Sequence, residues 1–543
     1  MPSRNTRTIH NAAGATLPRT RGNRCGNSLG VALASGLGLM LGLLCCGGTA
    51  TAQTAQVGDW PAPMRVITEE LPPPSDEELI ESEGGGPWLS LSDLDAQSLI
   101  DLRSDPWIRF GSPLSVDPEV QSGGSAPAYS EPSDNGGGID SRDFRTPPAS
   151  ARPKSKPSAV ITVELQSDFA WFDQSQENQA TVGEIPDGAF FRRSRIGVFG
   201  ALYETVEYRL EYDFAEEARP RFLDNWIALT NIPIVRNVIV GHYFEPFSLE
   251  RYTPNRFITF NERSLADTFA PARNMGMMIY GNALDEKLTF GVGAFRSNSN
   301  DYGEDVSYRS GYAGTAHATY LAWFRELNEY QVSLLHLGGS FSYRTSGDDF
   351  VRYATRPSIR MRQQDVAGVP VFVDTGEMPD VSQIYLAGVE AAWVHGPFSV
   401  QSEWIQSHLV RSGNDNPTFH GGYVYGSWFL TGEGRSYSPT SILGRFREGI
   451  FQRITPRSNV FDRSERQGWT GLGAVELAAR WSYIDLNDAG VRGGYMEEMT
   501  YGVNWYLNKY TRVSLNYVRP DLQDPDQGDS DANMYSLRFQ FEF

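Results

Sequence analysis

Lysine is almost missing from this chain of 543 residues. Lys154, Lys156, Lys287 and Lys509 are all there are, so arginine carries nearly all the positive charge. With a formal net charge of −19 and a pI near 4.9, the chain has no basic surface to hold nucleic acid by non-specific charge. Cysteine is scarce too. Cys25, Cys45 and Cys46 are the three, and all precede residue 53. That excludes a disulfide framework or a thiolate metal site in the later chain. The seven histidines form no HExxH and no close pair. No catalytic set of Ser, His and Asp is placed by a motif, so the chain is not expected to be an enzyme, and no cofactor or metal is expected. After residue 53 there is also no apolar run of about 18 residues. A chain without such a run cannot cross a bilayer as helices. It stays in water or crosses as a closed barrel, the other fold that satisfies every backbone group in lipid.

What is present begins with an export signal. Residues 1–28 hold Arg4, Arg7, Arg19, Arg21 and Arg24 and no acid. The apolar run Leu29–Leu44 follows, and Ala50-Thr51-Ala52 offers a small-residue cleavage site. Residues 1–52 are therefore read as a signal peptide. Residues 53–156 are acidic and rich in Pro, Gly and Ser, and are read as a largely disordered, mostly irregular arm in the periplasm.

From residue 157 onward the period is two. Tyr208, Leu210, Tyr212 and Phe214 fall on one face, and Glu207, Arg209, Glu211 and Asp213 on the other. Only a strand has that period. The charges cannot face lipid cheaply, so they face a watery lumen. The final strand repeats the pattern, with Tyr535, Leu537, Phe539, Phe541 and Phe543 opposite Ser536, Arg538, Gln540 and Glu542. About sixteen such segments fit between 159 and 543. The fold predicted for 157–543 is all-β, a transmembrane β-barrel of about 16 antiparallel strands. Trp404, Trp428, Trp481 and Trp505 are expected in its interfacial girdles.

Two connections stand apart. Segment 245–274 carries Pro246, Pro254 and Pro271 and cannot be one regular element. It is predicted to fold into the lumen. Its Arg251, Arg256, Arg263 and Arg273 are balanced by Glu245, Glu250, Glu262 and Asp267. Segment 432–470 falls by strand parity on the short-turn side, yet it is about forty residues long. Either it hides a hairpin or it enters the lumen from below. Seven arginines, Arg445, Arg447 and Arg453 among them, outnumber its four acids. On the wall, Arg193 and Arg195 share a face, and Arg209, Arg480, Arg512 and Arg538 have lumen-facing parity. A planar guanidinium donates two parallel hydrogen bonds to an oxyanion. The predicted pore and anion-binding set is therefore Arg193, Arg195, Arg251, Arg256, Arg263, Arg273, Arg445, Arg447 and Arg453. For each, a salt bridge that holds a loop in place is the competing reading.

Several stretches resemble one family. AFFRRSRIGVFG (189–200), VEYRLEYDFA (206–215), GHYFEPFSLE (241–250) and RFITFNERSLADTFAPARNMGMM (256–278) look like the bacterial phosphate-selective porins O and P. LLHLGGSFSYR (334–344), GVEAAWVHGPFSVQSEW (388–404), WFLTGEGRSY (428–437) and ELAARWSYIDLND (476–488) extend the resemblance. It implies a sixteen-stranded barrel in the bacterial outer membrane, a homotrimer, in contact with lipid and lipopolysaccharide. It also implies passive passage of small inorganic anions, phosphate or another oxyanion. The chain departs from the family in charge, because the phosphate-specific members add a central lysine cluster. A general porin without phosphate specificity, or a barrel-anchored envelope or adhesion protein, are the alternatives.

Overall fold

The computed structural model describes residues 157–543, apart from 204, 216–218, 307–310, 348–349, 362–367, 441–446, 461–470 and 527. The expected signal peptide, the arm 53–156 and Arg445 lie outside the described residues. Among the described residues no helix is long and apolar enough to cross a membrane.

Sixteen antiparallel strands follow one another round a ring. They are β1 (Val160–Gln174), β2 (Gly188–Leu202), β3 (Val206–Asp213), β4 (Arg221–Phe222 and Asn225–Ile232, with a break between), β5 (Arg236–Phe244), β6 (Arg273–Ala283), β7 (Leu288–Arg296) and β8 (Tyr312–Asn328). Then come β9 (Gln331–Thr345), β10 (Val381–His395), β11 (Phe398–Arg411), β12 (Thr418–Phe429), β13 (Ala474–Asp488), β14 (Val491–Asn508), β15 (Thr511–Asp524) and β16 (Gly528–Glu542). β1 pairs with both β2 and β16, from Glu164↔Glu542 to Gln174↔Ala532, so the sheet closes and leaves no edge. This is the expected all-β barrel.

Alternation decides which side chains meet the lumen. Glu207, Arg209, Glu211 and Asp213 are buried inside, while Leu210 is exposed outside. Arg480, Arg512 and Arg538 are likewise buried. The outer face carries Trp404, Trp428 and Trp481, and a run of rings from Tyr501 through Tyr517 to Tyr535, with centroids 6.1 and 5.2 Å apart. Phe541 and Phe543 lie at the other end of the same face. Phe539, four residues from each of Tyr535 and Phe543, is 47% exposed between these two belts. Lipid covering such a ring contributes about 1.5–3 kcal/mol. Phe539→Arg is therefore expected to destabilise the inserted barrel by about 2–4 kcal/mol, read as a lowered midpoint of urea unfolding from vesicles.

Two polar stretches depart from expectation. Residues 485–495 and 520–532 read as long loops, but β13–β14 and β15–β16 run through them as ladders. Ala489 and Gly490 close the first hairpin with φ of 50° and 81°, the left-handed pair of a tight hairpin turn. Strand ends that stand clear of lipid have no apolar face to keep, so the alternation fades there.

Three connections fill the lumen. The β5–β6 segment carries a single-turn helix, Leu249–Tyr252, whose first N–H groups have no partner within the helix. Wall carboxylates supply the acceptors: Leu249 N donates to Glu390 Oε2 at 2.8 Å, and Glu250 N to Glu403 Oε1 at 2.6 Å. Further on, Leu265 N donates to Ser482 Oγ (3.0 Å) and Asn261 Nδ2 to Ser536 Oγ (2.9 Å). This segment thus lies against β10–β16. The β9–β10 connection drops onto it. Ile359, Met361, Phe372 and Val373 join Phe260, Leu265 and Phe269 in one buried apolar cluster. Ser358 N donates to Glu498 Oε2 (2.8 Å), and Ser358 Oγ to the Arg263 carbonyl (2.8 Å). The sequence marks that connection only as long.

The β12–β13 connection contains a small hairpin, with Tyr437–Ser438 pairing Ile450–Phe451, all buried. The Tyr437 hydroxyl lies 2.8 Å from His336 Nδ1 on β9. Among the described residues, this short hairpin packs against a lumen-facing side chain of the wall.

Candidate functional site

Because the inward segments pack against β8–β16, space is left along β1–β6. A small cavity, partly open to solvent, lies there. Five guanidiniums line it: Arg195 of β2, Arg209 of β3, Arg273 of β6, Arg256 of the β5–β6 segment and Arg447 of the β12–β13 segment. Three carboxylates face them, Glu164, Glu211 and Asp224. A second, smaller space adjoins the turn between β14 and β15. It is lined by Arg256, Arg453, Arg512 and Lys509 against Glu542. Arg256 belongs to both. Across the two, eight cationic side chains meet four carboxylates.

Partner distances separate the arginines by role. Arg195 Nε lies 2.8 Å from Asp213 and its Nη1 3.4 Å from Glu164. Arg209 holds Glu211 at 2.8 Å, and Arg273 holds Asp224 at 2.7 Å. Arg447 reaches the other Asp224 oxygen at 3.1 Å and donates to the Tyr252 carbonyl at 2.9 Å. Arg256 has the loosest carboxylate contact of these, Nε to Glu542 at 3.4 Å, outside hydrogen-bond geometry. Arg453 reaches the other Glu542 oxygen at 3.2 Å.

Three described members of the predicted set line neither space. Arg263 donates to the carbonyls of Glu250, Arg251 and Thr253 at 3.0–3.2 Å, closing the C-terminal end of the helical turn. Arg251 pairs with Asp267 at 2.8 Å and donates to the carbonyls of Asp267 and Ala270. Both are braces of the segment rather than lining. Arg193 is a wall residue that donates to Gln166 Oε1 and also lines neither space. Four of the nine, Arg195, Arg256, Arg273 and Arg447, meet in the first cavity, and Arg453 joins Arg256 in the second.

Three contributors escape sequence reasoning. Arg192 has the parity of a lipid-facing residue, but the β1–β2 register shifts between Gln166↔Arg193 and Ser167↔Phe191. That bulge turns Arg192 inward, where it clasps Glu262 through Nε at 2.8 Å and Nη2 at 3.0 Å. Asp224 sits in the break of β4, where Leu223 and Asp224 are both buried despite being neighbours. Lys509 lies in a two-residue turn, where parity says nothing. Burial would raise the Glu262 carboxyl, but Arg192, Arg538 and Arg193 overcome it and hold it well below the usual carboxylate range.

A closed sixteen-stranded barrel with a lipid-facing apolar belt and a charged, partly filled lumen is an outer-membrane porin, a channel and not an enzyme. The family model "Phosphate-selective porin O and P" matches residues 161–543, and the chain belongs to that family. It is 29% identical over 426 residues to an uncharacterised protein of Caulobacter vibrioides, covering 73% of this chain and 79% of that one. It is 25% identical over 413 residues to Porin O of Pseudomonas aeruginosa, covering 70% and 87%. Among solved structures, the anion-selective porin from Comamonas acidovorans aligns with a TM-score of 0.42 at 12% identity, covering 72% of this chain and 100% of that one.

Proposed function

We propose that this barrel is a passive, anion-preferring diffusion channel, narrowed where the arginines of the β1–β6 wall face the two inward segments 245–274 and 432–470. The observation that carries this reading is the excess of cationic groups over carboxylates along both spaces, with Arg256 common to them, in a chain of net charge −19. A diffusion pore needs a lining that favours one sign of charge and still lets the solute leave. Guanidiniums already half-engaged by carboxylates meet that need for phosphate and other oxyanions. In this reading the barrel is a homotrimer in outer-membrane lipid and lipopolysaccharide, with the arm 53–156 in the periplasm.

The test is the zero-current potential of single channels in a potassium chloride gradient. The expected sign is that of chloride preference, and a potassium-selective channel would overturn the reading. Lys509 is the single lysine among the described residues lining either space. That favours a general oxyanion channel over a phosphate-specific one. Added phosphate is expected to reduce the chloride current weakly, and complete block at low phosphate would reverse that preference.

A further inference from the structure

We propose that Glu390 and His336 are positioning residues that couple the two inward segments, so that the β5–β6 turn and the β12–β13 hairpin narrow the channel as one unit. The proposal rests on the reading above that these segments narrow the channel.

Four groups form a chain of hydrogen bonds from one segment to the other, with its middle in the wall. At one end Leu249 N, in the first turn of the short helix, donates to Glu390 Oε2 at 2.8 Å. The other oxygen of Glu390 lies 3.0 Å from His336 Nε2 and 2.8 Å from His317 Nε2. A carboxylate oxygen only accepts, so both imidazoles carry a proton at Nε2. In the neutral ring of His336 that leaves Nδ1 as an acceptor, and the Tyr437 hydroxyl of the hairpin donates to it at 2.8 Å. Leu249, Glu390, His336 and Tyr437 are all buried, so a lost link leaves a polar group without water to replace it. The wall makes room for the chain. Glu390 pairs across the ladder with Gly338 of β9, two residues from His336, and a Cβ at 338 would collide with Glu390 Oε1.

Glu403 shows by contrast what the coupling needs. It stands directly opposite Glu390 on β11 and accepts from the next N–H of the turn, Glu250 N, at 2.6 Å. It also accepts the Tyr423 hydroxyl of β12 at 2.5 Å. Through these bonds Glu403 anchors the turn to the wall, whereas Glu390 also reaches the hairpin. The β12–β13 segment meets the same turn a second time, where Arg447 Nη1 donates to the Tyr252 carbonyl at 2.9 Å. The turn is thus held at its first residue through the wall and at its last residue directly. A shift of the turn along the lumen breaks one of these holds or draws the hairpin with it.

The experiment places a reporter on the β5–β6 segment. Cys25, Cys45 and Cys46 all precede residue 53, so Thr268→Cys, at a half-buried position beyond the turn, gives the barrel one thiol. Labelling by a water-soluble maleimide, with full barrels in vesicles, then follows the fraction of time the segment is open. Tyr437→Phe removes one oxygen and keeps the ring in the apolar cluster with Leu249 and Tyr252. It is expected to raise the labelling rate by about tenfold, the scale of one buried hydrogen bond, although the hydroxyl removed is bonded to the wall. His336→Gln keeps an N–H toward Glu390 and loses the acceptor for Tyr437. It should match Tyr437→Phe, and the double variant should label no faster than either. Glu390→Gln puts one acceptor oxygen where a carboxylate serves donors on both, and should label fastest of the set. An unchanged rate in Tyr437→Phe overturns the coupling, as do effects of Tyr437→Phe and His336→Gln that multiply in the double variant. Current noise in planar bilayers should rise in the same variants. Faster labelling with an unchanged current would sink the narrowing role and leave the coupling standing, so the two readings fail separately.

Discussion

Arg256→Gln is expected to weaken anion preference more than any other single substitution in the lumen. Arg256 lines both spaces, so in the proposed anion channel its guanidinium is the cation common to them. It is 6% exposed, and its nearest carboxylate oxygen, on Glu542, is 3.4 Å away. A charge that is desolvated and only loosely paired has most to gain from a passing oxyanion. Hydrogen bonds to charged groups contribute about 1.5–3 kcal/mol, and about 1.4 kcal/mol is tenfold in affinity. The half-blocking phosphate concentration should therefore rise by roughly tenfold or more in Arg256→Gln, with the zero-current potential falling toward zero. The backbone should be undisturbed, because Gln540 Nε2 donates to the Arg256 carbonyl rather than to its side chain. Arg263→Gln makes the contrast. Its guanidinium serves three carbonyls of its own segment, so current noise should increase while ion preference holds. Equal loss of preference in both variants would show that the segment's shape, not the Arg256 charge, sets selectivity.

The wall was legible and its contents were not. Alternation such as Glu207–Asp213 is dictated by a two-residue period with lipid on one side, and no tertiary context is needed to read it. The same rule fails wherever the period is broken. At Arg192 a one-residue bulge reverses parity, and at the break in β4 Leu223 turns inward beside Asp224, which keeps the inward parity of Trp226 and Ala228. Charge counting placed an excess of arginine in 432–470, but it could not tell a brace from a lining residue. Arg251 and Arg256 are five residues apart with similar neighbours in sequence. One is spent on the Asp267 carboxylate and on the carbonyls of Asp267 and Ala270, and the other lines both spaces. That difference arises from how the helical turn at Leu249–Tyr252 docks on Glu390 and Glu403, two wall residues more than a hundred positions away. The β9–β10 connection escaped for a related reason. Its Ile359 and Phe372 are apolar at no regular spacing, and only the exposed faces of Phe260 and Leu265 across the lumen give them a place to pack.

Removing Arg538 should release the β5–β6 segment without opening the wall. Arg538 is fully buried on β16, with Nε and Nη2 each 2.7 Å from an oxygen of Asp168 on β1. The same Nη2 lies 2.8 Å from Glu262, and Nη1 donates to the Asn261 carbonyl. One guanidinium thus ties two wall strands to the middle of the segment. Arg538→Met leaves Asp168 without its bidentate partner and Glu262 with Arg192 as its remaining direct ion pair. Stranding a buried charge in this way costs about 3–5 kcal/mol. The β1–β16 ladder keeps its backbone register from Glu164↔Glu542 to Gln174↔Ala532, so the loss falls on the docking of the segment. The expected record is a larger, flickering conductance with reduced ion preference. pH provides a second measure. Glu262 is held below the ordinary carboxyl value of 4.5, so its contribution to docking is complete above that value and is lost only as pH falls through the depressed one. The part of the docking that Glu262 supplies should persist from neutral pH down to about 4.5 and be lost in stronger acid. With Arg538 gone, the Glu262 carboxyl loses one of the cations that lower it, and the change should begin at higher pH. A variant with wild-type conductance and the same acid threshold would mean that the apolar cluster around Phe260 and Leu265, rather than this ionic node, holds the segment in the lumen.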